Sequence, residues 1–127
     1  MVFPKPGIAP HFFTLVKQHG ALLAKGRIAG IQFETLFTDD LYFRIGRNAI
    51  EAAGKIRQAL EEKGYRLTFR TPSNQIFVTL TRAQAAALTA RAELAFWENP
   101  DEEHTVMRIA TSWATSPDDV DRLIALL

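Results

Sequence analysis

The side chain best suited to chemistry in this 127-residue sequence is an arginine in the middle of a strand-like run: Arg108, within Thr105-Val-Met-Arg-Ile-Ala-Thr-Ser112. A guanidinium is a planar fork of N–H donors, and that fork matches a carboxylate bidentately. Alternation puts Arg108 on one face with Val106 and Ala110, and Met107 and Ile109 on the other. The same placement suits an arginine on the wet face of a sheet, and spacing alone leaves both readings open. A second set of cations, Lys17, Lys25 and Arg27, lies among Gly20, Gly26 and Gly30. Where glycines thin the cover of the backbone, such cations can meet an anion; they can also form a solvated basic edge. Gly26-x-x-x-Gly30 in a soluble helical pattern favours close helix packing over a phosphate cradle. Asn74 and Gln75 could position a ligand, although Thr71-Pro-Ser-Asn74 has the residue types of a turn. Trp97 and Trp113 have the bulk of core or interface anchors.

Other chemistries lack their residues. His11, His19 and His104 fall in separate segments without partners at helical spacing, so no metal site is expected. Neither a Gly-x-Ser-x-Gly elbow nor a Gly-x-x-x-x-Gly-Lys-Ser/Thr loop occurs. With no cysteine, disulfides, thiolate metal sites and a cysteine nucleophile are excluded. Lys plus Arg is 15 against 14 Asp plus Glu, which gives no basic footprint for nucleic acid or an anionic membrane. No apolar run reaches the roughly 20 residues that span a bilayer. Met1-Val-Phe-Pro-Lys-Pro6 lacks the layout of a signal peptide, so cytoplasm is the default expectation.

The elements that would hold these residues follow from periodicity. Three prolines and a glycine between Phe3 and Pro10 give an irregular arm over 1–10. Apolar residues at three- and four-residue steps predict one helix over 11–37, a rod of roughly 40 Å. Thr38-Asp39-Asp40 offers capping oxygens for a second helix, whose stripe is Leu41, Ile45, Ala49, Ala52, Ile56 and Leu60, with Gly64 as its stop. Tyr65–Phe69 and Ile76–Leu80 alternate as a hairpin. Thr81-Arg-Ala-Gln84 matches a capping box before a short helix. Leu94–Trp97 and Thr105–Ser112 read as strands, and Ser116-Pro117 opens a last helix. The fold class is therefore α+β: an antiparallel sheet of about four strands covered by helices, with a long N-terminal bridging helix. One domain is expected over 11–127, with an α+β unit at 38–127 and a first helix that has little of its own to pack on. A chain of 127 residues is small for an enzyme that must close its own cleft.

Several stretches together resemble one family. They are Lys17 to Glu34, Leu36 to Phe43, Gly64-Tyr-Arg66, Thr71-Pro-Ser-Asn-Gln75, Val106-Met-Arg-Ile-Ala-Thr-Ser-Trp-Ala-Thr115 and Asp118-Asp-Val120. In that order they resemble the C-terminal part of low-specificity threonine aldolases, in the aromatic amino acid β-eliminating lyase/threonine aldolase group. The resemblance covers nearly the whole chain from His11 onward. It implies the small domain of an aspartate-aminotransferase-like enzyme that uses pyridoxal phosphate. Such an enzyme cleaves β-hydroxy amino acids to glycine and an aldehyde and works as a homotetramer or dimer.

By position the resemblance makes Arg108 the binder of the substrate's α-carboxylate. Arg27, and less strongly Lys25, match basic positions near the cofactor phosphate at a subunit boundary. The family's Schiff-base lysine lies upstream of the strand whose end resembles Met1-Val-Phe3. Lys5 follows that strand and does not match it, so no catalytic residue is expected here. The expected partner is then an N-terminal large domain missing from this sequence. The chain alone would bind no cofactor and would be inactive, whether it is an excised piece or a truncated reading frame. A stand-alone assembly or binding module, one half of a split enzyme, and a small-molecule regulatory domain are the alternatives.

Overall fold

The computed structural model describes residues 4–127, so the strand end expected at Met1–Phe3 lies outside the described residues. Contacts divide the chain into two units, one running up to Asp39 and one spanning Asp40–Leu127.

In the first unit the single rod expected over 11–37 is instead two helices, α1 (Phe12–Gln18) and α2 (Arg27–Phe37). Gly20 supplies the reason. Its φ of 68° is left-handed, a conformation that ends a helix and that glycine adopts without penalty. The apolar period runs on across the break, so periodicity could not reveal it. The close packing expected at the glycines is also absent from the structure. A Cβ at Gly30 would meet nothing within 4 Å, and one at Gly26 only the Leu23 carbonyl at 3.6 Å. No residue of α1 or α2 is buried. Phe33 and Phe37, one helical turn apart, stack with ring centroids 6.4 Å apart.

Thr38–Asp40 forms a 3-10 turn. The aspartates were expected to cap the next helix through their side chains. They make no such bond and instead carry the bend in their backbones, with φ of 51° and 57°. Short polar side chains tolerate that left-handed region better than most.

The second unit holds the core. Helix α3 (Leu41–Glu62) buries Ala49, Ala52, Ala53, Ile56, Ala59 and Leu60 along the expected stripe. It ends in a Schellman turn: the Tyr65 amide donates to the Leu60 carbonyl at 2.8 Å and the Gly64 amide to Glu61 at 3.0 Å, with Gly64 at φ 80°. Strands β1 (Arg66–Phe69), β2 (Gln75–Thr81), β3 (Ala95–Glu98) and β4 (His104–Ala110) form an antiparallel sheet in the order β1-β2-β4-β3. Helix α4 (Arg82–Thr89) starts on the Thr81–Gln84 capping box, and α5 (Pro117–Leu126) on Ser116 with Asp119.

One face of the sheet is covered. Ile76, Val78 and Leu80 of β2 and Met107 and Ile109 of β4 pack with Ile56 and Leu60 of α3, Leu88 of α4 and Val120 of α5. This is the α+β small-domain architecture expected from the sequence. The far ends of α3 and α5 are tied by Lys63 Nζ, which donates to the Ile124 carbonyl, and by the Tyr65 hydroxyl, which donates to that of Leu127.

Candidate functional site

The opposite face of the sheet carries the site. β4 is a central strand, so Arg108 has a neighbour on each side: Phe77 of β2 and Ala95 of β3. Alternation gives these side chains one face, while Met107 and Ile109 enter the helix-covered core. Ala95 is small, and Trp97 lies two residues further along β3, where the pairing with β4 shifts register between Phe96 and Glu98 and leaves Trp97 as the extra, unpaired residue. The guanidinium carbon of Arg108 lies over the Trp97 ring, 5.8 Å from its centroid. Trp97 meets Phe77 edge-on at 4.9 Å, and Phe77 stacks on Phe69 of β1 at 4.6 Å. The Phe77 and Trp97 rings come from the strands on either side of β4 and close over it. Val106, on this face, is fully buried.

Arg108 is half-buried, and its Nε is buried without a hydrogen-bond partner. The ion pairs among the described residues are Arg70–Glu61, His104–Asp101 and Arg122–Asp119, so none engages Arg108. A buried donor left unmade costs about 1–3 kcal/mol. A guanidinium kept in that state can accept an anion from outside. Arg108 also lines a cleft of about 520 Å³ with Ile56, Leu94, Val120 and Leu123. That cleft lies on the helix-covered side with Ile56 and Val120, where the carboxylates of Glu93 and Asp119 disfavour an anion.

The strand end beyond Arg108 is clamped by Asn74 together with Thr111 and Asn48, two residues for which the sequence indicated no such role. The Thr111 hydroxyl donates to the Ala49 carbonyl at 2.6 Å, and its amide donates to the Asn74 carbonyl at 3.1 Å. The Asn74 amide group returns a bond to the Thr111 carbonyl at 2.5 Å. Asn48 Nδ2 lies within hydrogen-bond distance of the carbonyls of Ser112, Trp113 and Thr115. Asn74 thus closes a turn and holds the end of β4. Neither tryptophan is a core residue: both are exposed, and Trp113 lines an apolar groove with Phe43 and Ile50.

Lys25 and Arg27 lie in the first unit, both exposed. Lys25 is in the turn before α2, and Arg27 is the first residue of α2, whose N-terminus has no side-chain cap. They are not in the unit that holds Arg108.

Two surface carboxylates are perturbed. The His104 ring, hydrogen-bonded to Asp101, holds that carboxyl below its usual range, helped by the amides of Glu103 and His104. The Ser116 hydroxyl, then Arg122, does the same for Asp119. Both belong to turns and caps. Among the described residues no cluster of His, Asp and Glu could hold a metal ion, and no helix is long and apolar enough to cross a membrane.

A pyridoxal-phosphate ring needs a lysine in a sheltered pocket. Lys5, Lys17, Lys25, Lys55 and Lys63 are all exposed. The described residues therefore do not supply a pocket that fits the ring.

No protein-family profile and no curated protein matches the chain. Solved structures do. A serine palmitoyltransferase of Sphingomonas wittichii is 24% identical, with a TM-score of 0.53 over 64% of this chain and 23% of its own. A serine palmitoyltransferase of S. paucimobilis is 16% identical, with a TM-score of 0.51 over 64% and 23%. These two share the fold. A threonine aldolase of Leishmania major is 36% identical, with a TM-score of 0.85 over 93% of this chain and 34% of its own. The architecture is that of the small C-terminal domain of fold-type I, aminotransferase-like enzymes. Within that class the chain is a threonine-aldolase-like domain. It spans about a third of the length of the Leishmania enzyme it matches.

Proposed function

We propose that this chain is the C-terminal small domain of a pyridoxal-phosphate-dependent lyase that cleaves β-hydroxy amino acids to glycine and an aldehyde. Its part is to bind the substrate's α-carboxylate through Arg108. The observation that carries this reading is the half-buried guanidinium with an unpartnered Nε and no counter-ion of its own. A bidentate clamp fixes the substrate in one orientation. The Cα–Cβ bond can then lie where an electron sink acts on it, and that sink belongs to the large domain rather than to this chain.

Arg27, and to a lesser degree Lys25, is assigned to the cofactor's phosphate at a subunit boundary. Support comes from the start of α2, which no side chain caps and where the helix's partial positive charge adds to theirs. Homo-oligomer formation and the large domain as partner complete the reading. The exposed apolar side chains of the first unit, among them Ile28 and Phe33, favour a covering partner.

Acetaldehyde release from threonine with added pyridoxal phosphate tests the assignment. The chain alone is expected to be inactive, and turnover by it would sink that claim. Joined to a threonine-aldolase large domain it is expected to turn over. There Arg108→Lys, which keeps the charge and loses the fork, should lower kcat/KM about tenfold or more. An unchanged kcat/KM would remove Arg108 from the site.

A further inference from the structure

We infer that Trp97 is the positioning residue for Arg108: it holds the guanidinium in place from its π face and leaves the fork free for a carboxylate. This rests on the carboxylate reading of Arg108 and adds a residue to it. An arginine side chain has much rotamer freedom, and each bond to a ligand must overcome the cost of ordering it. A hydrogen-bonding or acidic partner would order it but would occupy the donors that the ligand needs. An aromatic face orders it without offering an acceptor in the guanidinium plane. The local structure provides this. Ala95 opposite Arg108 is small, and the register shift between Phe96 and Glu98 sets Trp97 apart from the ladder, with its ring 5.8 Å from the guanidinium carbon. Trp97 is fixed in turn by the edge-on contact with Phe77, and Phe77 by its stacking on Phe69. Three strands thus aim one side chain, with no charge spent on it.

The test uses the full chain carrying Trp113→Phe, so that Trp97 is its only tryptophan. Glycine is the probe, titrated while Trp97 emission and the Arg108 Nε–H resonance are followed. Both signals are expected to saturate with one midpoint. Trp97→Leu, read by the resonance alone, should weaken glycine binding about three- to tenfold, and Trp97→Phe, which keeps a ring face, should recover most of that loss. A lost side chain that mattered only for packing would not be rescued in this graded way. An unchanged midpoint in folded Trp97→Leu overturns the positioning role while the carboxylate reading stands. A parent chain whose Arg108 resonance never responds to glycine overturns both. If Trp97→Leu does not fold, Arg108→Met decides: the Trp97 response to glycine must vanish, and its persistence overturns the inference.

Discussion

Arg108 is held at a cost to the domain that contains it. Its Nε is buried with no acceptor, so replacement by an apolar side chain of similar length removes an unmade bond along with the charge. Arg108→Met should leave the domain at least as stable as the parent, and by up to about 1 kcal/mol more so, as read by denaturant unfolding. Glycine binding should be lost in the same variant. A clear loss of stability would mean that the guanidinium serves packing instead. The chemical type of Arg108 and its place in a strand were legible in the sequence. Its setting was not, because Phe77 and Trp97 become its neighbours only through pairing across β2 and β3. Asn48 was equally hidden: it is an exposed polar residue on a helix, and its three carbonyl neighbours lie more than sixty residues away.

Elements were legible where one residue type serves one end. The capping boxes at Thr81 and Ser116 and the glycine after α3 stand where their chemistry predicts. Alternation likewise placed β1 and β2, since a two-residue period survives tertiary packing, and Leu94–Trp97 and Thr105–Ser112 overlap the other two strands. The break between α1 and α2 was not legible, because apolar spacing continued across residues that fold as a turn. The cap of α5 also sets a pH dependence. Asp119 is held below the usual carboxylate range by Ser116 and Arg122, so the folded chain binds its proton less readily than the unfolded chain. Its support of α5 is therefore complete above the unfolded value of about 3.9 and fades as pH falls through the lower folded one. Asp119→Asn should flatten that part of the stability profile, measured by denaturant midpoints between about pH 5 and 2. A profile unchanged by the substitution would contradict the linkage.

At the scale of the whole molecule, the core cluster lies entirely within Asp40–Leu127, and no described residue of the first unit is buried. The 40–127 piece should therefore fold cooperatively alone, with a thermal midpoint within a few degrees of the full chain's. Non-cooperative melting of that piece would show that the first unit carries part of the stability. The core order was readable in outline from the sequence, as was an α+β unit over 38–127 apart from a first helix with little of its own to pack on, although apolar residues are as frequent in the first unit as in the second.

The strand order has a consequence for how the domain assembles. β1 with β2 and β3 with β4 are local hairpins, and each is marginal when isolated. The central ladder joins β2 to β4 from Gln75–Ala110 to Thr81–His104, around a loop that contains α4 and β3. Closing that loop costs chain entropy before the ladder returns any stabilisation. The hairpins can zip early and fray again. The commitment step is the meeting of β2 and β4, which brings together the two flanks of Arg108. During synthesis that step must wait until residue 110 has left the ribosome.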